Sequence, residues 1–86
     1  MSNGTENSLA GLSVLVVDDE AMLRRRLSAH LEALGADVTG AGTLSSAKQL
    51  LADLEFDFVL LDIHLPDGLG TDLLRAGLPQ KGSGVV

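Results

Sequence analysis

Apolar residues along this chain fall into two patterns that take turns. The runs VLVV (Val14 to Val17) and FVLL (Phe58 to Leu61) are short and unbroken, as in strands covered on both faces of a parallel sheet. Leu23, Leu27, Leu31 and Leu34 instead recur at i, i+4, i+8 and i+11, one stripe of an amphipathic helix over Ala21 to Leu34 that Gly35 can end. Ala47, Leu50, Leu51 and Leu54 fall at i, i+3, i+4 and i+7 and mark a second helix, with Thr43 as its N-cap and Lys48, Gln49 and Asp53 off the stripe. Between the helices, Ala36 to Ala41 alternates weakly around Val38, which predicts a short edge strand.

Both unbroken runs end in carboxylates, Asp18-Asp19-Glu20 after the first and Asp62 after the second. Leu65-Pro66-Asp67-Gly68 then forms a turn, and Thr71 to Ala76 can make a short third helix stopped by Gly77 and Pro79. Gln80 to Gly84 is expected to be loop, and Val85-Val86 to open another strand. Three strand-helix units with short connections predict an α/β domain, a doubly wound parallel sheet with right-handed crossovers and helices on both faces. Ligands of such open sheets bind beyond the carboxyl ends of the strands, which is where Asp18, Asp19 and Asp62 fall. Residues 1–10 are polar and are expected to form a disordered tail, with residues 11–86 as the domain.

Composition narrows the partners. At 86 residues the chain holds one small domain that buries only about 60 to 65% of its unfolded surface. A formal charge of −6 gives no electrostatic footprint for nucleic acid. Phe56 and Phe58 are the only aromatics, too few for a base-stacking platform. The absence of cysteine removes disulfides and thiolate metal sites and is compatible with a reducing cytosol. The longest apolar runs are four residues, far below the roughly 20 that span a bilayer. The polar start of the chain lacks lysine, arginine and an apolar segment, unlike a signal peptide. A soluble protein with no membrane association is expected.

Three carboxylates converging at one rim repel one another, by about 4 kcal/mol for a pair about 4 Å apart at an effective dielectric near 20, so a divalent cation is expected among them. Magnesium suits one or two carboxylates plus waters and phosphate oxygens, whereas zinc and iron lack their usual ligands here. A carboxylate can also attack phosphorus to give an aspartyl phosphate. Asp62, alone at the end of its strand, is best placed for that role, with the Asp18 and Asp19 pair holding metal from one side.

VLVVDDE, LLDIHLPDG and the following Gly70 together resemble the motifs of response-regulator receiver domains, over roughly Leu12 to Val86. The resemblance implies a flavodoxin-like sheet of order 2-1-3-4-5, here incomplete and ending at the start of the fourth strand. It implies Asp62 as phosphoacceptor, Asp19 as a direct Mg2+ ligand, Asp18 as a ligand mainly through water, and the backbone carbonyl of His64 as a further ligand. Pro66 and Gly70 match the family's turn positions. The family also has a hydroxyl residue closing the fourth strand and a lysine closing the fifth, positions beyond this sequence. Exposed strand edge and helix surface then predict self-association.

Plainer roles compete at several residues. Asp18 or Asp19 taken singly would cap the first helix, and Asp67 is expected to serve its turn. The side chain of His64 is expected to be exposed, and His30 to pack at the boundary of the first helix. Arg24, Arg25 and Arg26 point in three directions about 100 degrees apart, so they form no single clamp; a solvated role is expected for them, the alternative being that one of them approaches a kinase or the mouth of the site. Gly40-Ala41-Gly42 fails as a dinucleotide fingerprint because Ser45 stands at the third glycine, and Gly77 to Gly84 lacks the order of a phosphate-binding loop. A haloacid-dehalogenase-like phosphatase would want an acid where His64 stands.

The expectation is therefore a cytoplasmic receiver module of a two-component system, a phosphate acceptor rather than an enzyme, served by a sensor histidine kinase. The LPDG turn is reminiscent of transcriptional regulators. The alternative is a truncated or pseudo-receiver fragment that associates with other chains but neither phosphorylates nor switches.

Overall fold

The computed structural model describes residues 8–75 and 84–85. Its elements run β1 (Ser13–Val17), α1 (Ala21–Ala33), β2 (Asp37–Ala41), α2 (Leu44–Asp53), β3 (Phe58–Leu61), β4 (His64–Leu65), β5 (Gly68–Leu69), α3 (Asp72–Arg75) and β6 (Gly84–Val85). Strands β2, β1, β3 and β6 lie in that order in one parallel sheet, and β4 with β5 forms a small antiparallel hairpin. This is the flavodoxin-like order expected for the first strands, with β2 at one edge among the described residues.

Strand parity sorts the core onto two faces. Val14 and Val16 point to the α1 side, where Leu27, Leu31, Val38 and Leu60 pack around them. Leu15, Val17 and Val59 point the other way, onto Leu44, Ala47 and Leu51 of α2 together with Phe56, Leu65 and Leu73. Val14 to Val17 are all buried, the double coverage that an uninterrupted apolar run requires. The second run differs from expectation: only Val59 is buried, and Phe58 is 39% exposed. Among the described residues β6 pairs only Phe58 and Val59, and α1 leans over β1 and β2, so the α1 side of β3 is thinly covered. For the same reason α1 buries no residue fully and leaves Leu23 39% exposed.

The helix ends follow their sequence signals. Gly35, at φ 99, closes α1: its N–H donates to the Glu32 carbonyl at 2.9 Å and that of Ala36 to Leu31 at 3.2 Å, the paired bonds of a Schellman ending. Thr43 caps α2 by accepting the Ser46 N–H at 3.0 Å. The two N–H groups ahead of Ser46 are met from a distance. The Asp67 carboxylate accepts from Leu44 at 2.7 Å and from Ser45 at 3.0 Å, so the hairpin tip satisfies the two first-turn donors that the Thr43 cap does not serve.

Those two bonds, from Leu44 and then Ser45, hold the Asp67 carboxyl below the usual carboxylate range. A lowered folded value means the latch contributes fully above the ordinary carboxylate range and is lost as pH falls through the lowered value. Acid unfolding followed by circular dichroism should therefore be less steep below that range for Asp67→Asn than for wild type. Identical acid limbs would contradict the assignment.

Of the expected tail, residues 1–7 lie outside the described residues. Leu9 is already part of the packed chain: its N–H donates to the Leu34 carbonyl at 2.9 Å and its side chain joins the α1-side core. The third helix begins at Asp72, and the end expected for it, with Gly77, Pro79 and the following loop to residue 83, lies outside the described residues, as does Val86. Among the described residues no helix is long and apolar enough to cross a membrane.

Candidate metal centre

Sheet register brings the acids together. Val17 of β1 pairs with Leu61 of β3, so the next residues, Asp18 and Asp62, leave adjacent strands side by side, about 4.8 Å apart by strand spacing. The ladder continues one residue past the strands: Asp62 donates to the Val17 carbonyl at 2.9 Å, and Asp18 to that of Ala41 at 3.0 Å. Both acids are thus fixed to the rim by their own main chains. Asp19 follows on the exposed side, and one carboxylate oxygen each from Asp18, Asp19 and Asp62 lies within 4.8 Å of the others.

The two half-buried carboxylates are also oriented. Asp18 Oδ1 accepts the Glu20 N–H at 2.9 Å, and Asp62 Oδ1 accepts the His64 N–H at 3.3 Å, each two residues ahead in a tight turn. Each keeps its second oxygen for another partner. An all-carboxylate donor set, partly open to water, suits a hard cation that retains waters, and Asp18, Asp19 and Asp62 could hold one. Helix capping does not consume these acids. The N-cap of α1 is Glu20, which makes no side-chain cap bond, and the bond of Asp18 goes to the cap residue itself rather than to the first turn.

The remaining sequence candidates separate cleanly. The side chain of His64 is exposed, and its N–H faces Asp62. His30 is exposed in the last turn of α1, away from the boundary position expected for it. Of the three arginines, Arg25 and Arg26 are exposed, whereas Arg24 is half-buried and donates from its guanidinium to the Asp18 carbonyl at 2.7 Å. It lies across Gly40 and Gly42, where an added Cβ would stand 3.1 Å from Arg24 Cδ and 3.0 Å from its Nη1. The Gly40-Ala41-Gly42 sequence therefore clears a path for Arg24 along the end of β2. That glycine spacing was the available signal, and it pairs with an arginine rather than with a nucleotide.

The profile of the response regulator receiver domain matches residues 14–83. The chain belongs to that family. Among curated relatives, this receiver chain is 41% identical over 61 residues to response regulator protein PilR of Pseudomonas aeruginosa, a match covering 71% of the chain and 14% of PilR. Among solved structures it superposes on the CheY-like receiver domain protein of Methanospirillum hungatei with a TM-score of 0.81 at 31% identity, covering 86% of this chain and 60% of that one. It also superposes on TrrA of Thermotoga maritima, solved in complex with Mg(2+)-BeF, with a TM-score of 0.77 at 27% identity, covering 86% of this chain and 65% of that one. The receiver chain thus spans under a sixth of the length of PilR and about three fifths of the Methanospirillum domain.

Two glycines shape the receiver's rim beyond the acids. At Gly70 an added Cβ would run into the Asp62 carbonyl oxygen, and the Gly70 N–H donates to the Ile63 carbonyl at 2.7 Å. At Gly68 it would stand 2.7 Å from Leu44 Cδ2. The hairpin is therefore pressed onto Asp62 at its base and onto α2 at its tip.

Proposed function

We propose that this receiver chain is the phosphoacceptor module of a two-component signalling system, taking a phosphoryl group onto Asp62 from the phosphohistidine of a sensor histidine kinase. Asp18, Asp19, Asp62 and the backbone carbonyl of His64 are the proposed Mg2+ ligands. The observation that carries this reading is the approach of three carboxylate oxygens within 4.8 Å at the carboxyl ends of β1 and β3. Support comes also from the fold shared with TrrA, whose structure holds Mg(2+)-BeF.

In the proposed transfer, Asp62 attacks phosphorus through the oxygen not engaged by the His64 N–H, forming a P–O bond as the P–N bond to histidine breaks and the imidazole leaves. Bound Mg2+ supplies neutralisation of charge on the transferring group. Asp18 is kept facing the rim by the Glu20 N–H, and Arg24 fixes the main chain beneath it. The protein is the substrate of this transfer, and the proposal places it in the cytoplasm, where such kinases would reach it.

Incubation with acetyl phosphate and Mg2+, followed by intact-mass spectrometry, should show one phosphoryl adduct on wild type and none on Asp62→Asn. An adduct of equal yield on the variant, or none on wild type, would remove the reading.

A second reading, association between chains, is favoured by one observation. On the α1 side, exposed Phe58 stands on the same face as an open cavity of about 190 Å³ lined by Val16, Leu27 and Leu60 and reaching Asp18 and Asp62. Light scattering at rising concentration should show growth in mean mass that Phe58→Ser reduces. A monomer at every concentration would exclude it.

A further inference from the structure

Asp62 and the hairpin after it form a closed mechanical loop. The Asp62 carboxylate is oriented by the His64 N–H, at 3.3 Å a long bond that small movements of His64 would break. His64 is the first residue of the hairpin, paired with Leu69. The base of that hairpin is tied back by Gly70 to Ile63 and by the Leu69 N–H to Asp72 Oδ2 at 3.2 Å. Its middle is seated by buried Leu65. Its tip is tied to a different element, through Asp67 alone among the described hydrogen bonds, onto Leu44 and Ser45 of α2.

We propose that Asp67 is a positioning residue for the acidic site: by clamping the hairpin tip onto the first turn of α2, it keeps the His64 N–H against Asp62. Its consequence for phosphoryl chemistry rests on the function proposed above; the clamp itself does not. The same link makes the start of α2 responsive to events at Asp62, because the hairpin joins the two. Asp67 acts here through His64 and touches no reacting atom.

The experiment compares Asp67→Ala, Asp67→Asn and Thr43→Ala. Thr43 caps the same helix end but contacts nothing in the hairpin among the described hydrogen bonds, so its variant reports a weakened α2 alone. Two quantities are read: amide exchange at His64 by NMR in Mg2+-free protein, and the Mg2+ dissociation constant by calorimetry.

Asp67→Ala should speed His64 exchange and weaken Mg2+ binding about fivefold or more. Asp67→Asn, which keeps one acceptor oxygen, should fall between it and wild type. Thr43→Ala should leave both at wild-type values despite a lower melting temperature. Unchanged His64 exchange in Asp67→Ala, or an equal change in Thr43→Ala, would overturn the proposal. If the alanine variant does not fold, Asp67→Asn is judged against Thr43→Ala in the same way. A wild type with no Asp62-dependent Mg2+ binding would remove the phosphoacceptor reading, and His64 exchange alone would then decide the role of Asp67.

Discussion

Gly70→Ala should cost this domain about 3 kcal/mol or more, enough to lower its melting temperature by about 12 °C or leave it unfolded. The added Cβ would overlap the Asp62 carbonyl oxygen and stand 3.0 Å from Leu61 Cγ and 3.1 Å from the Asp62 carbonyl carbon. Two of these are main-chain atoms, so no rotamer change relieves the clash. Gly70 cannot step aside either. Its N–H is bonded to Ile63 at 2.7 Å, and its carbonyl accepts the N–H of Leu73, a residue with no exposed surface, at 3.1 Å. Its φ is not positive, so the cost is contact and not backbone conformation. Thermal unfolding by circular dichroism measures it. A variant within about 0.5 kcal/mol of wild type, the range of ordinary surface substitutions, would show that the hairpin base is not packed as described.

The second large effect concerns the cation. At 4.8 Å separation, two carboxylates repel by about 1 kcal/mol in bulk water and by about 3.5 kcal/mol at an effective dielectric near 20. Asp19→Asn removes one member of the cluster at its most exposed position while leaving the turn bonds of Asp18 and Asp62 untouched. The metal-free variant should therefore melt higher than metal-free wild type. Addition of Mg2+ should reverse the order. At one hundred times its dissociation constant, a ligand that binds only the folded state stabilises wild type by about 2.7 kcal/mol, a gain the variant should largely lose. Wild type and variant that respond identically to Mg2+ would place the ion elsewhere or nowhere.

Much of the fold was legible because its signals are local. The Leu27 and Leu31 stripe, the Thr43 cap and the Gly35 ending each depend on residues within a turn or two, and each stands where the pattern put it. The carboxylate cluster was legible for a related reason: two apolar strands ending in acids must deliver them to one rim if the sheet is parallel. Besides the exposure of His30 and the packing of Leu9, three features of the sheet and its rim escaped. Phe58 and Leu60 have the composition of a doubly covered strand, but coverage belongs to the neighbours and not to the strand. The sequence left open that one of three arginines reaches the site, and only the path cleared by Gly40 and Gly42 singles out Arg24. Asp67 looked like a turn former, and its bonds to Leu44 and Ser45 span sequence separations of 23 and 22 residues that no local pattern encodes.

By itself the sequence determined the alternation of strand and helix, the two-sided burial of Val14 to Val17 and the placement of acids at strand ends, since these follow from periodicity and from side chains acting on adjacent main chain. Only the tertiary structure decided that Val17 stands opposite Leu61, the register that sets oxygens of Asp18, Asp19 and Asp62 within 4.8 Å of one another, and that Asp67 caps a helix from another element. Register and long-range capping are set by how whole elements pack, and that choice is made among faces and edges rather than along the chain.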